Sequence, residues 1–194
     1  TAQELNMRCA VVTKIADGFE ESIFDTLASV DKALEFGFGS FSIIELMFFK
    51  EEKSKLKTNL SFFNAIQKAS KRNFDWVFFL EGNQLLFKEA FKVAQNHLRN
   101  LDALWGENAV WDKSSIQMGE QNPKTFQSEK GYKKSRGYKA LNDNPFIKLK
   151  SLIDISVHLA PQDQNWKNYS DLLWSSCNCK KIESPFVADR LDLF

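Results

Sequence analysis

The hydrophobic period of this chain alternates between two values three times within its first hundred residues, and that alternation constrains the fold more than any other feature. Cys9-Ala10-Val11-Val12-Thr13 is a short apolar run closed by Lys14 and the turn pair Asp17-Gly18, the pattern of a buried strand. Ile23, Leu27, Val30 and Leu34 then recur at spacings of four, three and four, one face of a helix that Gly37 and Gly39 stop. Phe41 to Phe49 is nearly all apolar, as a strand covered on both faces is. Leu56, Leu60, Phe63 and Ile66 mark a second helix, and Asp75 to Leu80 reads as a third strand. Phe87, Phe91, Ala94, Leu98 and Leu101 line a third helix. Three successive strand–helix units over residues 8–105 predict an α/β domain with right-handed crossovers. Its mostly parallel sheet is flanked by helices, with 9–13, 41–48 and 75–80 as neighbours.

Residues 106–194 are less regular. Leu104-Trp105 and Ala109-Val110-Trp111 are expected to add short strands, Leu152 to Leu159 a half-buried strand, and Trp166 to Trp174 a helix. Lys181-Ile182 and Phe186-Val187 are expected to close the sheet at an edge. No repeat or linker divides the chain, and 194 residues suit one domain. The segment 112–139 is polar and aperiodic, which suggests a lid over a site or a disordered loop. From Lys124 to Lys150 eight basic residues stand against Glu129 and Asp143 alone. That excess has three readings: a lid touching diphosphate, a patch for anionic lipid or a lipid-linked acceptor, and a solvated loop.

Composition narrows the class. Apolar content of 43% and charged content of 26% are those of an ordinary globular protein, and the net charge of +1 gives no bias toward nucleic acid. No apolar run reaches the roughly 18 residues of a transmembrane helix. Three cysteines make no disulfide framework, and Cys177-x-Cys179 is a poor zinc signal. A cytoplasmic protein is therefore expected. The 18 phenylalanines read as core packing. No P-loop, glycine-rich dinucleotide turn, G-x-S-x-G elbow or H-E-x-x-H occurs.

In open α/β sheets ligands bind beyond the carboxyl ends of the strands. Those ends are Thr13-Lys14, Phe49-Lys50-Glu51 and Glu81-Gly82-Asn83. A Mn²⁺ or Mg²⁺ ion on a diphosphate needs one or two protein oxygens, which Glu81 and Asn83 could supply, while Gly82 could let phosphate approach the backbone. The plainer reading of the tripeptide is a turn with Asn83 capping the helix that follows.

With these residues in view the sequence resembles the GT-A glycosyltransferases of family 2. Asn64-Ala65-Ile66-Gln67-Lys68-Ala69 followed by Asp75-Trp76-Val77-Phe78-Phe79-Leu80-Glu81-Gly82-Asn83 is similar to that family's Asn-x-Gly-Ile-x-x-Ala helix, strand and Leu-Asp-x-Asp motif. Ala10-Val11-Val12-Thr13 and Thr26-Leu27-Ala28-Ser29-Val30 resemble its first strand and Thr-Leu-x-Ser-Val helix, and Asn144 to Asp163, with Trp166 and Leu172-Leu173, its acceptor-side segment. Two departures stand out: E-G-N replaces D-x-D, and Phe48-Phe49-Lys50 replaces the strand end that carries a base-reading Asp. The Glu-Asp pair of the family becomes Gln162-Asp163.

The resemblance implies a GT-A-like (Rossmann-like) domain, nucleotide-binding over 8–105 and acceptor-side over 106–194. It would transfer a sugar from a nucleotide-sugar to a glycan or lipid-linked acceptor in bacterial surface polysaccharide synthesis, at the inner face of the membrane where contact is made. It implies Asp163 as general base, and Thr13, Lys14, Asn64, Glu81, Gly82 and Asn83 as donor-binding residues. Glu81 and Asn83 would hold Mn²⁺ or Mg²⁺. Two other readings stay open, a non-catalytic GT-A-like binding or scaffold protein and another nucleotide-using α/β enzyme such as a nucleotidyltransferase.

Overall fold

The computed structural model describes residues 7–18, 20–107, 109–111, 132–134 and 144–190. The first three strands and the two helices between them form where the periods predict: β1 (Met7–Ile15), α1 (Ile23–Phe36), β2 (Phe41–Lys50), α2 (Lys55–Lys71) and β3 (Trp76–Glu81). Gly37 ends α1 at φ 142°, a conformation closed to residues with a Cβ. Ser54 opens α2 by accepting a hydrogen bond from the Lys57 amide at 3.4 Å. Strand β1 lies between β2 and β3 and is parallel to both.

The rest of the chain completes this sheet and builds a second one. After β3 come β4 (Gln84–Leu86), α3 (Ala90–Gln95), β5 (Ala103–Trp105), β6 (Ala109–Trp111), β7 (Tyr132–Lys134) and β8 (Pro145–Lys148). The chain then runs through α4 (Leu149–Ser156), a 3₁₀ turn at Pro161–Asp163, α5 (Trp166–Ser176), β9 (Cys179–Lys181) and β10 (Val187–Arg190). The main sheet has the order β2-β1-β3-β8-β5-β9 and the smaller one β4-β10-β6-β7. Strand β8 is antiparallel to both β3 and β5, whereas β5 and β9 are parallel. The two halves of the chain interleave, since the second donates β8 and β9 to the main sheet and the first donates β4 to the small one.

Side-chain alternation along β1 divides the core into two layers. Cys9 and Val11 face α1 and α3, with Phe78, Phe91, Phe146 and Phe186. Ala10 and Val12 face α2, α4 and α5, with Val77, Phe79, Phe62 and Tyr169. The first layer is an aromatic cluster: Phe78 and Phe146 have ring centroids 4.4 Å apart, and Phe186 meets Phe146 edge-on at 5.0 Å. Such pairs add about 0.5–1.5 kcal/mol each beyond area burial.

Several expectations from the sequence are corrected. The third helix is only Ala90–Gln95, because Gln84–Leu86 is a strand of the small sheet and Leu98 and Leu101 are buried in turns. Residues 152–159 are not a strand but mostly α4, in which Leu149, Leu152 and Ile155 share a buried face; both periods fit from Leu152 onward, and Leu149 decides for the helix. Strand β2 is an edge strand rather than one covered on both faces, with Ile43 43% and Phe48 47% exposed. Helix α2 buries Asn59, Phe62, Ala65, Ile66 and Ala69 and leaves Leu56 and Leu60 exposed, because Phe62 rather than Leu60 fills the space beside Phe79 and Tyr169. Phenylalanine is not all core, since Phe24, Phe36, Phe38 and Phe48 are exposed. Strand β10 lies inside the small sheet rather than at an edge. Of the segment 112–139, Tyr132–Lys134 forms β7, and the remainder of the proposed lid lies outside the described residues.

Candidate functional site

The parallel register of three strands builds a row of side chains at their carboxyl ends. Lys14 on β1 is opposite Phe49 on β2 and Glu81 on β3. All three line a cleft of about 540 Å³, walled by the amino-terminal part of α2 (Lys55, Thr58, Asn59, Phe62) and by the 161–168 segment. Phe62 stacks edge-on against Phe49 at 5.5 Å and tilts over Phe79 at 4.9 Å, so the floor is aromatic and the rim polar.

Lys14 and Glu81 form an ion pair, Nζ to Oε2 3.0 Å, with side chains 24% and 17% exposed; Glu51 Oε1 lies 4.0 Å from the same ammonium. Burial pushes the Glu81 carboxyl above its ordinary range, Lys14 pulls it back, and the carboxylates of Glu51 and Asp189 raise it further. Gly82 turns the chain out of β3 against β1: its amide donates to the Lys14 carbonyl at 2.7 Å, and a Cβ there would meet that oxygen at 2.7 Å. Its carbonyl accepts from Ser22 Oγ and Thr26 Oγ1 on the opposite layer.

A buried amide network fixes this turn. Gln84 Oε1 accepts from the Glu81 amide at 3.0 Å, and Gln84 Nε2 donates to Asn144 Oδ1 and Asp189 Oδ1. Asn144 Nδ2 donates to Gln84 Oε1 and the Phe79 carbonyl, both at 2.7 Å. Asn144 also lines the cleft. The network ties β3 to β4 and β10, which sets where the Glu81 carboxylate can stand.

Asp163 reaches the cleft from the other side. It closes the 3₁₀ turn before α5, its carbonyl accepts from the Asn168 side chain at 2.9 Å, and its own side chain is exposed. Asn59 Nδ2 donates to the Gln162 carbonyl at 3.1 Å, pinning the turn to α2 across 103 residues of sequence. Gln164 adds two bonds, to the Ser156 and Leu159 carbonyls, and accepts from the buried Tyr169 hydroxyl.

The structure therefore brings Lys14, Glu81 and Asp163 into one cleft. Thr13 points into the opposite layer, since neighbours on a strand alternate, and its buried hydroxyl finds no partner among the described residues. Asn64 is exposed on α2, outside the cleft; Asn59, five residues earlier, is the asparagine of α2 that lines it. Gly82 packs on the β1 backbone, and the half-buried Asn83 starts the turn into β4 instead of capping a helix. The i, i+3, i+4, i+7 set Lys55, Thr58, Asn59 and Phe62 was legible as one helix face but carries no motif.

A divalent cation on Glu81 and Asn83 does not fit this arrangement. Asn83 is not among the cleft-lining residues, and the Glu81 carboxylate already holds an ammonium. Among the described residues no group of three or more His, Cys, Asp or Glu could hold a metal.

No protein-family model and no curated protein sequence matches the chain. Solved structures do. S. aureus TarS 1–349 in complex with UDP superposes with a TM-score of 0.62 at 13% identity, over 95% of this chain and 61% of that one. The same protein in complex with UDP-GlcNAc gives 0.56 at 14%, over 95% and 58%. The inositol-1-phosphate CTP transferase from T. maritima gives 0.52 at 12%, over 94% and 87%. The chain thus spans about three fifths of the TarS fragment. No helix among the described residues is long and apolar enough to cross a membrane. The likeness is one of fold, and the fold is GT-A-like: a single mixed α/β domain whose mostly parallel sheet is flanked by helices.

Proposed function

We propose that this chain is a glycosyltransferase that binds a nucleoside-diphosphate sugar in the cleft between α2 and the 161–168 segment. The observation that carries this reading is the meeting of Lys14, Glu81 and Asp163 at the carboxyl ends of β1–β3, in a fold shared with one protein solved bound to UDP and to UDP-GlcNAc. Transfer of a sugar has three requirements, and the cleft has a residue for each. The departing diphosphate needs positive charge, which Lys14 and Lys55 offer. The acceptor hydroxyl must lose a proton, and Asp163 is the carboxylate free to take it on the solvent side. Hydrolysis must be suppressed, and the aromatic floor of Phe49, Phe62 and Phe79 excludes water from one side of the donor. The acceptor is a glycan or a lipid-linked sugar, in the setting of surface polysaccharide synthesis that the family resemblance implies.

The experiment is incubation with a panel of nucleotide-sugars and release of the nucleoside diphosphate as the readout. Wild type should release it from at least one donor. Asp163→Asn should lower that turnover by about 10²-fold while leaving donor affinity largely intact. Unchanged turnover in the variant removes Asp163 from the mechanism.

A second reading, a nucleotidyltransferase, is favoured by the likeness to the T. maritima CTP transferase, of which the chain covers 87%. Pyrophosphate release from a nucleoside triphosphate and a sugar phosphate, with no release from nucleotide-sugars, would decide for it.

A further inference from the structure

We infer that Lys14 is the resident cation of the diphosphate subsite, so that diphosphate binds this cleft without a divalent metal. The inference rests on reading the cleft as a nucleoside-diphosphate-sugar site, and it concerns what neutralises the phosphates there.

The geometry is that of a cation site already filled from within the chain. Lys14 stands at the carboxyl end of the central strand of the β2-β1-β3 trio, with its ammonium 3.0 Å from Glu81 and 4.0 Å from Glu51. Those two carboxylates hold the ammonium from the flanking strand end and from the residue just past β2. Glu51 is itself fixed, since its amide donates to the Ile15 carbonyl at 2.9 Å and its Oε2 accepts from the Asp17 amide at 2.9 Å. The Lys14 side chain is 24% exposed and lines the cleft, so an ammonium with three donors keeps capacity for an incoming anion. A divalent ion would have to displace the ammonium from its seat between Glu81 and Glu51, and Asn83 of the E-G-N turn does not line the cleft. Lys55, at the first position of α2, lines the same cleft and adds a second positive charge. Glu81 is on this account a positioning residue for Lys14.

The test is calorimetric titration of the whole chain with UDP, GDP, CDP and inorganic pyrophosphate, each in excess EDTA and in excess Mg²⁺. At least one diphosphate should bind in EDTA, with an affinity that Mg²⁺ changes by less than about threefold. Lys14→Ala should weaken that binding about tenfold or more in both buffers, as loss of a charge-assisted contact does. Lys14→Arg should restore most of it. Because Lys14→Ala leaves Glu81 without its partner, the doubly substituted Lys14→Ala/Glu81→Gln chain serves as the folded control and should bind as poorly as Lys14→Ala. Binding that appears only with Mg²⁺ and disappears in Glu81→Gln overturns the inference and leaves the nucleotide-sugar reading standing. Binding in EDTA that Lys14→Ala does not weaken also overturns it. No binding of any diphosphate in either buffer overturns both.

Discussion

Lys14 and Glu81 face each other across adjacent parallel strands, Nζ to Oε2 at 3.0 Å, where the carboxyl end of the sheet opens into a cleft. The pair decides both the electrostatics of the site and the cost of the residues that build it. Burial raises the Glu81 carboxyl against the pull of Lys14. For a carboxylate raised above its unfolded value, the native state binds more protons between the two values, so stability falls as pH rises through that window.

Removal of Lys14 should therefore destabilise the fold most at neutral pH. Lys14→Ala leaves a mostly buried carboxylate unpaired, and a cost of about 1–3 kcal/mol is expected, discounted for the partial exposure of the pair. Urea unfolding at several pH values checks this. The loss should shrink as pH drops into the raised titration range of Glu81, and Glu81→Gln added to Lys14→Ala should recover part of it. A loss independent of pH would mean that the lysine stem, not its charge, matters.

Asn144 is the hub of the buried amide network, bonded to the Phe79 carbonyl and to Gln84 in both directions. Asn144→Ala removes the side-chain donor to the Phe79 carbonyl and one of the two bonds at each end of the Gln84 amide, which should cost about 1–3 kcal/mol. The urea midpoint is the measurement, and Asn144→Leu should fare no better, since a similar volume supplies no donor.

Ser151 donates to Asp102 at 2.5 Å and holds its carboxyl below the ordinary range; partial burial opposes this, and the Asn178 amide and Lys148 add to the lowering. A depressed carboxylate contributes stability above its unfolded pKa and loses it as pH falls through the folded value. Ser151→Ala should move that loss to higher pH, so acid unfolding begins earlier, with neutral stability lowered by about 1 kcal/mol. Acid titration followed by far-ultraviolet circular dichroism reads both.

The first three strands and the two helices between them were legible because their signal is local: apolar runs closed by Asp17-Gly18, Gly37 and the E-G-N turn. The corrections share one physical origin. Whether β2 is covered on both faces, and which face of α2 is buried, depends on partners far along the chain, and Phe62 beats Leu60 only because Phe79 and Tyr169 are its neighbours. The same holds for the site. Glu81 was legible as a strand end, and alternation alone could have separated Lys14 from Thr13. Asn59 carries no motif, Asn144 only opens the segment that resembles the acceptor side, and both acquire their roles through bonds that span 103 and 65 residues.

Asn59 offers a direct check on that long-range coupling. Its side-chain amide ties α2 to the Gln162 carbonyl, so Asn59→Ala should loosen the 161–163 turn without unfolding α2. Hydrogen exchange at the amides of 163–165 should quicken by about tenfold, the scale of one net hydrogen bond. Unchanged exchange there would mean that Gln164 and Tyr169 hold the turn unaided.

Hydrogen exchange of the whole chain with and without nucleotide-sugars reads out whether the cleft over Phe49, Lys14 and Glu81 is a nucleotide-sugar site. At least one nucleotide-sugar at saturating concentration should slow exchange in three separate stretches together: the end of β1 around Lys14, the first turns of α2, and residues 161–168. A panel in which no nucleotide-sugar protects these stretches, or in which protection falls only elsewhere, would mean that the cleft is not a nucleotide-sugar site.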